Sequence, residues 1–133
     1  MIQLINKARE VTKYCYAPYS NYHVGASLLF QDGSIVSGVN IENASYGVTN
    51  CAERSALYSA ISQGKNLKDV VAVAVVADGE TLGSPCGICR QAMAELLAPT
   101  TPVYIALMTG DQFRTTSVTE LLPFAFTKKD LHG

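Results

Sequence analysis

The chain has 133 residues, a length typical of one domain with one hydrophobic core, so we expect residues 1–133 to form a single domain. Apolar residues make up 48% of it and charged residues 16%, a balance that excludes an intrinsically disordered chain. The formal net charge is -1, and no basic run is longer than Lys128 and Lys129. Binding to polynucleotides is therefore not expected, because it depends on clustered positive charge.

The amino-terminal residues 1–7 are too polar for a signal peptide, and nowhere does the sequence contain about 18 consecutive apolar residues. We therefore expect a cytoplasmic protein without a membrane partner. The sequence contains four cysteines, which a chain of this size does not need as disulfides. In a reducing compartment, clustered cysteines favour metal binding or catalysis.

The first half of the chain predicts a helix, a hairpin and a second helix. Apolar residues recur at helical spacing over 2–15, before a breaker at 16–20. The apolar segments 24–30 and 35–39 flank Asp32-Gly33, a pair that supplies the positive φ of a tight turn, and they indicate a β-hairpin. A loop over 40–49 follows, and the helical pattern of 51–63 ends at Gly64.

The second half predicts alternating strands and helices. Residues 70–77 form an unbroken apolar run, typical of a strand covered on both faces. Ser84 and Pro85 suit a helix cap and a first-turn proline, with the helix continuing over 91–98. A strand over 102–108, a turn, a strand over 112–116 and a short helix over 118–122 follow. Together these elements predict an α/β fold, a three-layer α-β-α sandwich around a mixed five-stranded sheet.

Three cysteines have the spacing of a catalytic zinc site. Cys86 and Cys89 lie three residues apart at a predicted helix start, where both can face the same way, and Cys51 begins the other helix. Three thiolates hold a zinc ion and leave its fourth tetrahedral position open for water. Two helix dipoles would favour thiolate at this point. The sequence therefore predicts one Zn²⁺ per chain.

Two charged residues next to Cys51 extend the predicted site. Glu53 stands two residues after a ligand, so on a helix it should reach the zinc-bound water instead of the metal and act as a proton shuttle. Arg54 could donate hydrogen bonds to a thiolate and restore the Lewis acidity that three thiolates weaken. The alternative for Arg54 is a solvated helix residue.

Other interpretations of the cysteines and histidines remain open. A Cys-x-x-Cys pair also occurs in redox proteins, although that interpretation leaves Glu53 unexplained, and a structural zinc site would usually have a fourth protein ligand. We expect Cys15 to be a small buried core residue. We expect His23 and His132 to lie at the surface or beside the site, because neither has metal-ligand spacing to the cysteines.

Six segments carry a resemblance to a known family: Tyr16-Ala17-Pro18-Tyr19-Ser20, Val24-Gly25-Ala26, Gly38-Val39-Asn40-Ile41-Glu42-Asn43-Ala44, Cys51-Ala52-Glu53-Arg54, Ser84-Pro85-Cys86-Gly87-Ile88-Cys89-Arg90-Gln91 and Glu120-Leu121-Leu122-Pro123. A glutamate beside a first ligand, followed by Pro-Cys-x-x-Cys, is the pattern of zinc deaminases. Over nearly its whole length, the chain resembles the small homotetrameric cytidine deaminases that bind zinc through three cysteines.

The resemblance implies hydrolysis of cytidine and 2'-deoxycytidine to the uridines, in pyrimidine salvage. It implies that Asn40 and Glu42 bind the ribose hydroxyls, that Ala52 contacts the substrate, and that Tyr22 takes an aromatic position near the pyrimidine where Phe is more usual. It also implies a homotetramer in which Phe126 reaches the site of a neighbouring subunit. Without the resemblance, Asn40 and Glu42 would be solvated turn residues.

Aromatic residues near these segments have a second interpretation, as core or subunit-interface side chains. They are Tyr16, Tyr19, Tyr22, Phe124 and Phe126. Three alternative functions also remain: deamination of another small cytosine compound such as a nucleoside antibiotic, deamination of cytosine in a polynucleotide, and zinc binding without catalysis. A ribose site at Asn40 and Glu42 argues against the first, and the absence of a basic run argues against the second.

Overall fold

The computed structural model describes residues 1–132, with side chains as far as Leu131. Five α-helices and five strands are present among these residues. In chain order they are α1 (Ile2–Val11), β1 (Val24–Phe30), β2 (Ile35–Val39), α2 (Ala52–Ser62), β3 (Val70–Ala77), α3 (Gly87–Leu96), β4 (Pro102–Leu107), β5 (Phe113–Ser117), α4 (Val118–Leu121) and α5 (Lys128–His132). Single 3₁₀ turns occur at Thr12–Tyr14, Tyr46–Val48 and Leu67–Asp69.

The five strands form one mixed sheet in the order β2-β1-β3-β4-β5. Strand β1 pairs antiparallel with β2 and β3, β3 pairs parallel with β4, and β4 pairs antiparallel with β5. The hairpin prediction is confirmed, because Gly33 takes a φ of 87° in the turn and its N–H donates to the carbonyl of Phe30 at 2.9 Å.

The helices cover both faces of the sheet, which confirms the three-layer α/β prediction. On one face, Leu4, Ile5 and Ala8 of α1 pack on the alternating residues Ala72, Ala74 and Val76 of β3. On the other face, α2 and α3 pack on the intervening residues of the same strand, Val73 and Val75. Burial on both faces explains why β3 has an unbroken apolar sequence.

Two glycines allow the helices to approach the sheet closely. A Cβ on Gly38 would lie 2.4 Å from the backbone nitrogen of Ala56 in α2, and a Cβ on Gly25 would lie 2.0 Å from the carbonyl oxygen of Ala8 in α1. Both values are far below a van der Waals contact. Each helix therefore depends on one position of the hairpin that has no side chain.

The predicted helix over 2–15 is too long. Helix α1 ends at Val11 and a 3₁₀ turn follows, in which the Thr12 hydroxyl donates to the carbonyl of Arg9 at 2.6 Å. Polar side chains that bond to a nearby carbonyl compete with the helical pattern, and this accounts for the early end. As a result, Cys15 lies beyond α1.

The predicted cap of the third helix is also wrong. Cys86, and not Ser84, is the N-cap of α3, and the first helical bond runs from the Arg90 N–H to the Cys86 carbonyl at 3.0 Å. Ser84 and Pro85 lie before the helix and accept hydrogen bonds from the Arg90 side chain instead. The helix ends at Leu96 and not at Ala98.

The later elements differ by a residue or so from their predicted bounds. Strand β5 is displaced by one residue from 112–116, and α4 is one residue shorter than 118–122. The sequence pattern did not predict α5. None of the helices in the described part of the chain combines the length and the apolar character that crossing a bilayer requires.

Candidate active site

Two helix amino termini meet at one end of the central strands. Cys51 is the N-cap of α2 and Cys86 is the N-cap of α3, and both have the extended backbone of a cap residue. Cys89 lies in the first turn of α3 and is fully buried, whereas Cys86 is exposed. The hydrophobic faces of both helices pack on the same side of the sheet, and this packing brings the three residues together.

The three sulfurs have the spacing of a tetrahedral metal site. The Sγ atoms of Cys51 and Cys86 are 3.8 Å apart, those of Cys86 and Cys89 are 3.5 Å apart, and all three lie within 4.8 Å of one another. Zn–S bonds of about 2.3 Å at tetrahedral angles require sulfurs about 3.8 Å apart. The cluster therefore fits zinc, and within the described residues no His, Cys, Asp or Glu joins it as a fourth ligand.

The surroundings of the cluster favour thiolate at Cys51. A hydrogen bond from the Cys89 thiol and one from the Nη2 of Arg54, which lies 3.5 Å from the Cys51 sulfur, lower the pKa of Cys51 to about 5. The same hydrogen bond to Cys51, together with burial, raises the pKa of Cys89. Contact with the cysteine sulfurs raises the pKa of the Arg54 guanidinium. Arg54 is partly buried and contacts the Cys51 sulfur, so it is not a solvated helix residue.

Glu53 is a buried carboxylic acid beside this cluster. Its side chain is only 5% exposed and it lines the same cavity as Cys51 and Cys86. Burial raises the pKa of Glu53 to about 7, and the negative charge at Cys51 adds to this effect. A group with such a pKa can both accept and donate a proton near neutral pH.

A cavity of about 360 Å³ opens above the cluster, a volume within the range of small-molecule sites. Asn40, Glu42, Tyr22 and Ala52 line it together with Glu53, as the resemblance implies. The lining also includes residues that the predicted site did not contain, among them Ser20, Thr49, Asn50, Gly83 and Ser84.

Asn40 and Glu42 already make hydrogen bonds within the chain. The Asn40 amide accepts from the Val24 N–H at 2.9 Å and donates to the Tyr22 carbonyl at 2.8 Å. The Glu42 carboxylate accepts from the backbone N–H groups of Tyr19 and Ser20, at 2.9 and 3.1 Å, and from the Ser20 hydroxyl, which lowers the pKa of Glu42. Both residues therefore shape the cavity wall in addition to any contact with a ligand.

Tyr22 is fixed to this wall through its backbone. Its N–H donates to the Ser20 hydroxyl at 3.0 Å, and its carbonyl accepts from Asn40. Its ring would lie 3.7 Å from a Cβ at Gly79 and its hydroxyl 3.8 Å from a Cβ at Gly83, in the segment that leads to Cys86. Partial burial raises the pKa of the Tyr22 hydroxyl.

His23 pairs with an aspartate next to the cavity and not with the cysteines. Its ring Nδ1 lies 2.6 Å from Asp78, whose other oxygen accepts from the His23 N–H at 2.9 Å. Burial raises the pKa of Asp78, but these bonds outweigh it and the pKa is lowered. His23 is partly buried and does not line the cavity, although its chain neighbours Tyr22 and Val24 do. The side chain of His132 is outside the described residues.

Phe126 does not line the cavity of its own chain. It is 55% exposed, and Tyr16, Tyr19, Tyr22 and Phe124 are exposed as well, so the core interpretation of these aromatics is wrong. Cys15 is also not a core residue: it is half-buried and its thiol lies 3.4 Å from the Val24 carbonyl.

Ser20 and Ser84 lie within the segments of the resemblance, so their position was available from the sequence, but their role was not. Thr49, Asn50 and Gly83 carry no comparable signal, because a loop residue reaches the cavity only through the fold. The whole arrangement, with three thiols, a buried glutamate and a cavity on an α/β sandwich, defines a zinc-binding enzyme of the α/β class.

Comparison with known proteins identifies the family. The family model for the cytidine and deoxycytidylate deaminase zinc-binding region matches residues 2–105. The cytidine deaminase of Halalkalibacterium halodurans is 53% identical over 129 residues, which cover 97% of this chain and 96% of that protein. The cytidine deaminase of Sporosarcina psychrophila is 47% identical, with coverage of 97% and 93%.

A solved structure agrees with these sequence relatives. The crystal structure of cytidine deaminase from Burkholderia pseudomallei superimposes with a TM-score of 0.89 at 48% sequence identity, covering 94% of this chain and 98% of that one. The chain therefore belongs to the zinc-dependent cytidine and deoxycytidylate deaminase family.

Proposed function

We propose that the chain catalyses the hydrolytic deamination of cytidine and 2'-deoxycytidine to uridine and 2'-deoxyuridine. The observation that carries the proposal is the buried Glu53 beside three convergent thiols in a nucleoside-sized cavity. The relatives named cytidine deaminase, which match almost the full length of the chain, support the choice of substrate.

The proposed chemistry divides between the metal and the glutamate. Cys51, Cys86 and Cys89 would hold the zinc ion, which when bound would act as a Lewis acid and make water nucleophilic near neutral pH. Glu53 would take a proton from the attacking water and pass it to N3 of the ring as the C4–O bond forms. It would then take the second proton from the new C4 hydroxyl and deliver it to the amino group, which leaves as ammonia as the C4 carbonyl forms. Burial suits Glu53 to these steps, since a pKa of about 7 allows it to hold and to release the proton.

Asn40 and Glu42, which line the cavity, are the residues that we expect to bind the sugar of the nucleoside. Asn40 retains one amide hydrogen and one lone pair beyond its two backbone bonds, and a carboxylate such as Glu42 can accept further hydrogen bonds from hydroxyls. A negative carboxylate at this point would repel a phosphate, which favours nucleosides over nucleotides. Tyr22 and Ala52 would contact the base and the sugar from the cavity wall.

Assembly and cellular role are part of the same proposal. We assign residues 1–133 to one deaminase domain that acts as a homotetramer in pyrimidine salvage, and its four free cysteines agree with a reducing cytoplasm. The exposed Phe126, next to the fully exposed Phe124, would enter the site of a neighbouring subunit. Contact with a second chain would remove these aromatic surfaces from water.

The test is deamination followed by ultraviolet absorbance, with zinc content measured on the same samples. The purified chain is compared with Glu53→Gln, a substitution that keeps the size of a buried side chain, and with Glu10→Gln on the exposed part of α1 as a control. We expect turnover of both nucleosides by the chain and the control. The Glu53→Gln variant should bind zinc and lose at least about three orders of magnitude in kcat, because the proton transfers have no carrier.

Other outcomes would contradict particular parts of the proposal. A protein that contains zinc but deaminates neither nucleoside would contradict the substrate assignment. A cytosine-containing nucleoside antibiotic would then be the next substrate to assay. Normal turnover by Glu53→Gln would contradict the role of Glu53 as the proton shuttle. Retention on heparin together with deamination of single-stranded DNA would move the substrate to polynucleotides.

A further inference from the structure

Arg90 follows the proposed ligand Cys89, and each of the three nitrogens of its guanidinium group donates one hydrogen bond within the chain. Its Nε donates to the Pro85 carbonyl at 2.7 Å, its Nη2 donates to the Ser84 hydroxyl at 2.6 Å, and its Nη1 donates to the Leu121 carbonyl at 2.8 Å. Three acceptors from two different segments thus converge on one planar group. Such a fork of donors cannot be reproduced by a lysine ammonium.

Two of these acceptors belong to the segment between β3 and α3, which ends at Cys86. Within the described residues, 79–85 make no hydrogen bond between backbone groups, and their hydrogen bonds to the rest of the chain are the two from Arg90. Cys86 is exposed, whereas Cys89 is buried in the core. The position of the exposed Cys86 sulfur therefore depends on how this segment approaches α3 as well as on the packing of the helix.

The third acceptor connects the same arginine to the carboxyl-terminal part of the chain. Leu121 is the last residue of α4, and its carbonyl precedes the segment that carries Phe124 and Phe126. The next residue of α3, Gln91, donates from its Nε2 to the Phe126 carbonyl at 2.8 Å. Adjacent side chains of one helix thus hold both segments.

We propose that Arg90 is a positioning residue that holds Cys86 in the zinc site and connects this ligand to the segment that carries Phe126. The Ser84 and Pro85 bonds fix the approach of the chain to Cys86. The Leu121 bond makes that geometry dependent on the end of α4. Retention of zinc is therefore sensitive to a residue that is not a ligand.

Arg9 provides a matched control on the opposite face of the sheet. Its Nε donates to the Leu107 carbonyl at 2.9 Å, its Nη2 donates to the Gly110 carbonyl at 2.8 Å and its Nη1 donates to the Asn6 side chain at 3.3 Å. The guanidinium of Arg9 therefore makes the same kind of three-way contact, far from the cysteines. Replacing either arginine by lysine removes a comparable set of hydrogen bonds.

The experiment measures zinc release from the zinc-loaded protein into a chromogenic chelator, together with the melting temperature. Arg90→Lys should release zinc at least about tenfold faster than the parent chain. Arg9→Lys should lower the melting temperature to a similar extent and release zinc within about twofold of the parent rate. Ser84→Ala, which removes one of the three acceptors, should accelerate release in the same direction but to a smaller extent.

Two results would overturn the inference: release from Arg90→Lys at the parent rate, or equal acceleration by Arg9→Lys. If Arg90→Lys does not fold, Ser84→Ala decides, and an unchanged release rate from it counts against the inference. A second measurement, of steady-state kinetics, rests on the proposed function. With zinc in excess, Arg90→Lys should raise the KM for cytidine more than it lowers kcat. If the parent chain does not deaminate cytidine, the kinetic measurement cannot be made and the proposed function is wrong. The rates of zinc release would still decide the role of Arg90.

Discussion

Arg54 places a positive charge against the sulfur of Cys51, and this contact makes a specific prediction for the metal site. Arg54→Gln retains a hydrogen-bond donor but removes the charge that offsets the thiolates. We expect zinc affinity and kcat/KM to fall by about 10- to 100-fold. Competition with a zinc chelator and steady-state kinetics measure the two effects, and Arg114→Gln on the exposed edge strand is the control. Unchanged values for both would assign Arg54 to packing alone.

Ser20 is the second residue whose hydrogen bonds predict an effect. Its hydroxyl donates to Glu42 and accepts from the Tyr22 N–H, so it connects the proposed sugar contact to the proposed base contact. Ser20→Ala should raise the KM for cytidine by about tenfold, the equivalent of one hydrogen bond, with little change in zinc content. Ser34→Ala is the matched control, because Ser34 donates to Asp32 in a turn outside the cavity. An equal rise in KM for the two variants would contradict the role of Ser20.

The grouping of the three cysteines could be predicted from the sequence. Cys51, Cys86 and Cys89 are recognisable as candidate ligands because ligands near helix starts have short, regular spacings, and the proposed role of Glu53 follows from its distance to Cys51. The partners of Asn40, Glu42 and Arg90 were not predictable. Arg90 and Leu121 are 31 residues apart in sequence, and only the packed fold brings such groups together.

At the scale of the elements, α2 depends on the absence of a side chain at Gly38. Gly38→Ala would push a Cβ into the backbone of α2, the helix that begins at Cys51 and carries Glu53. We expect the free energy of unfolding to fall by about 3 kcal/mol and zinc to dissociate faster, because the helix and its ligand move away from the sheet. Chemical denaturation and zinc release into a chelator measure the two effects.

Gly25→Ala is the matched control for this prediction. The added Cβ would meet α1 on the opposite face of the sheet, at an even shorter distance. It should reduce stability to a similar extent and leave the rate of zinc release unchanged. Equal acceleration in both variants would mean that zinc release follows global stability and not the position of α2.

The order and type of the larger elements followed from the sequence, but several ends did not. The alternation of strands and helices is a property of local periodicity, whereas the ends of α1 and α3 depend on competing hydrogen bonds. The Thr12 hydroxyl donates to the Arg9 carbonyl where α1 ends. The Ser84 hydroxyl, which was expected to cap α3, accepts a hydrogen bond from the Arg90 side chain instead. Helix caps that depend on tertiary contacts have no local signal.

For the whole molecule, the proposed tetramer can be tested by mixing two inactive chains. Glu53→Gln lacks its own proton carrier, and Phe126→Ala would deprive a neighbour of its aromatic wall. If Phe126 acts in a neighbouring site, co-expressed chains should recover activity, with up to about a quarter of the sites combining an intact Glu53 and a neighbour's Phe126. Steady-state kinetics of the mixture and of each chain alone provide the measurement.

Two results would contradict a shared site. Elution as a monomer from a sizing column would contradict the tetramer. A mixture no more active than the Phe126→Ala chain alone would show that Phe126 does not act in a neighbouring site. A double variant that carries both substitutions in one chain, co-expressed with Phe126→Ala, is the control, since no chain then supplies Phe126.

The two cysteines that begin α2 and α3 occupy positions where folding alone would select other residues. Neither makes a side-chain hydrogen bond to the exposed N–H groups of its helix, which serine, threonine, aspartate or asparagine would satisfy with a gain of about 1 kcal/mol at each site. Two helix amino termini are thus less stable than they could be, and the residues that cause this are the candidate metal ligands. A descendant released from selection for catalysis should accumulate these capping residues at both positions, becoming more heat-resistant as it becomes inactive.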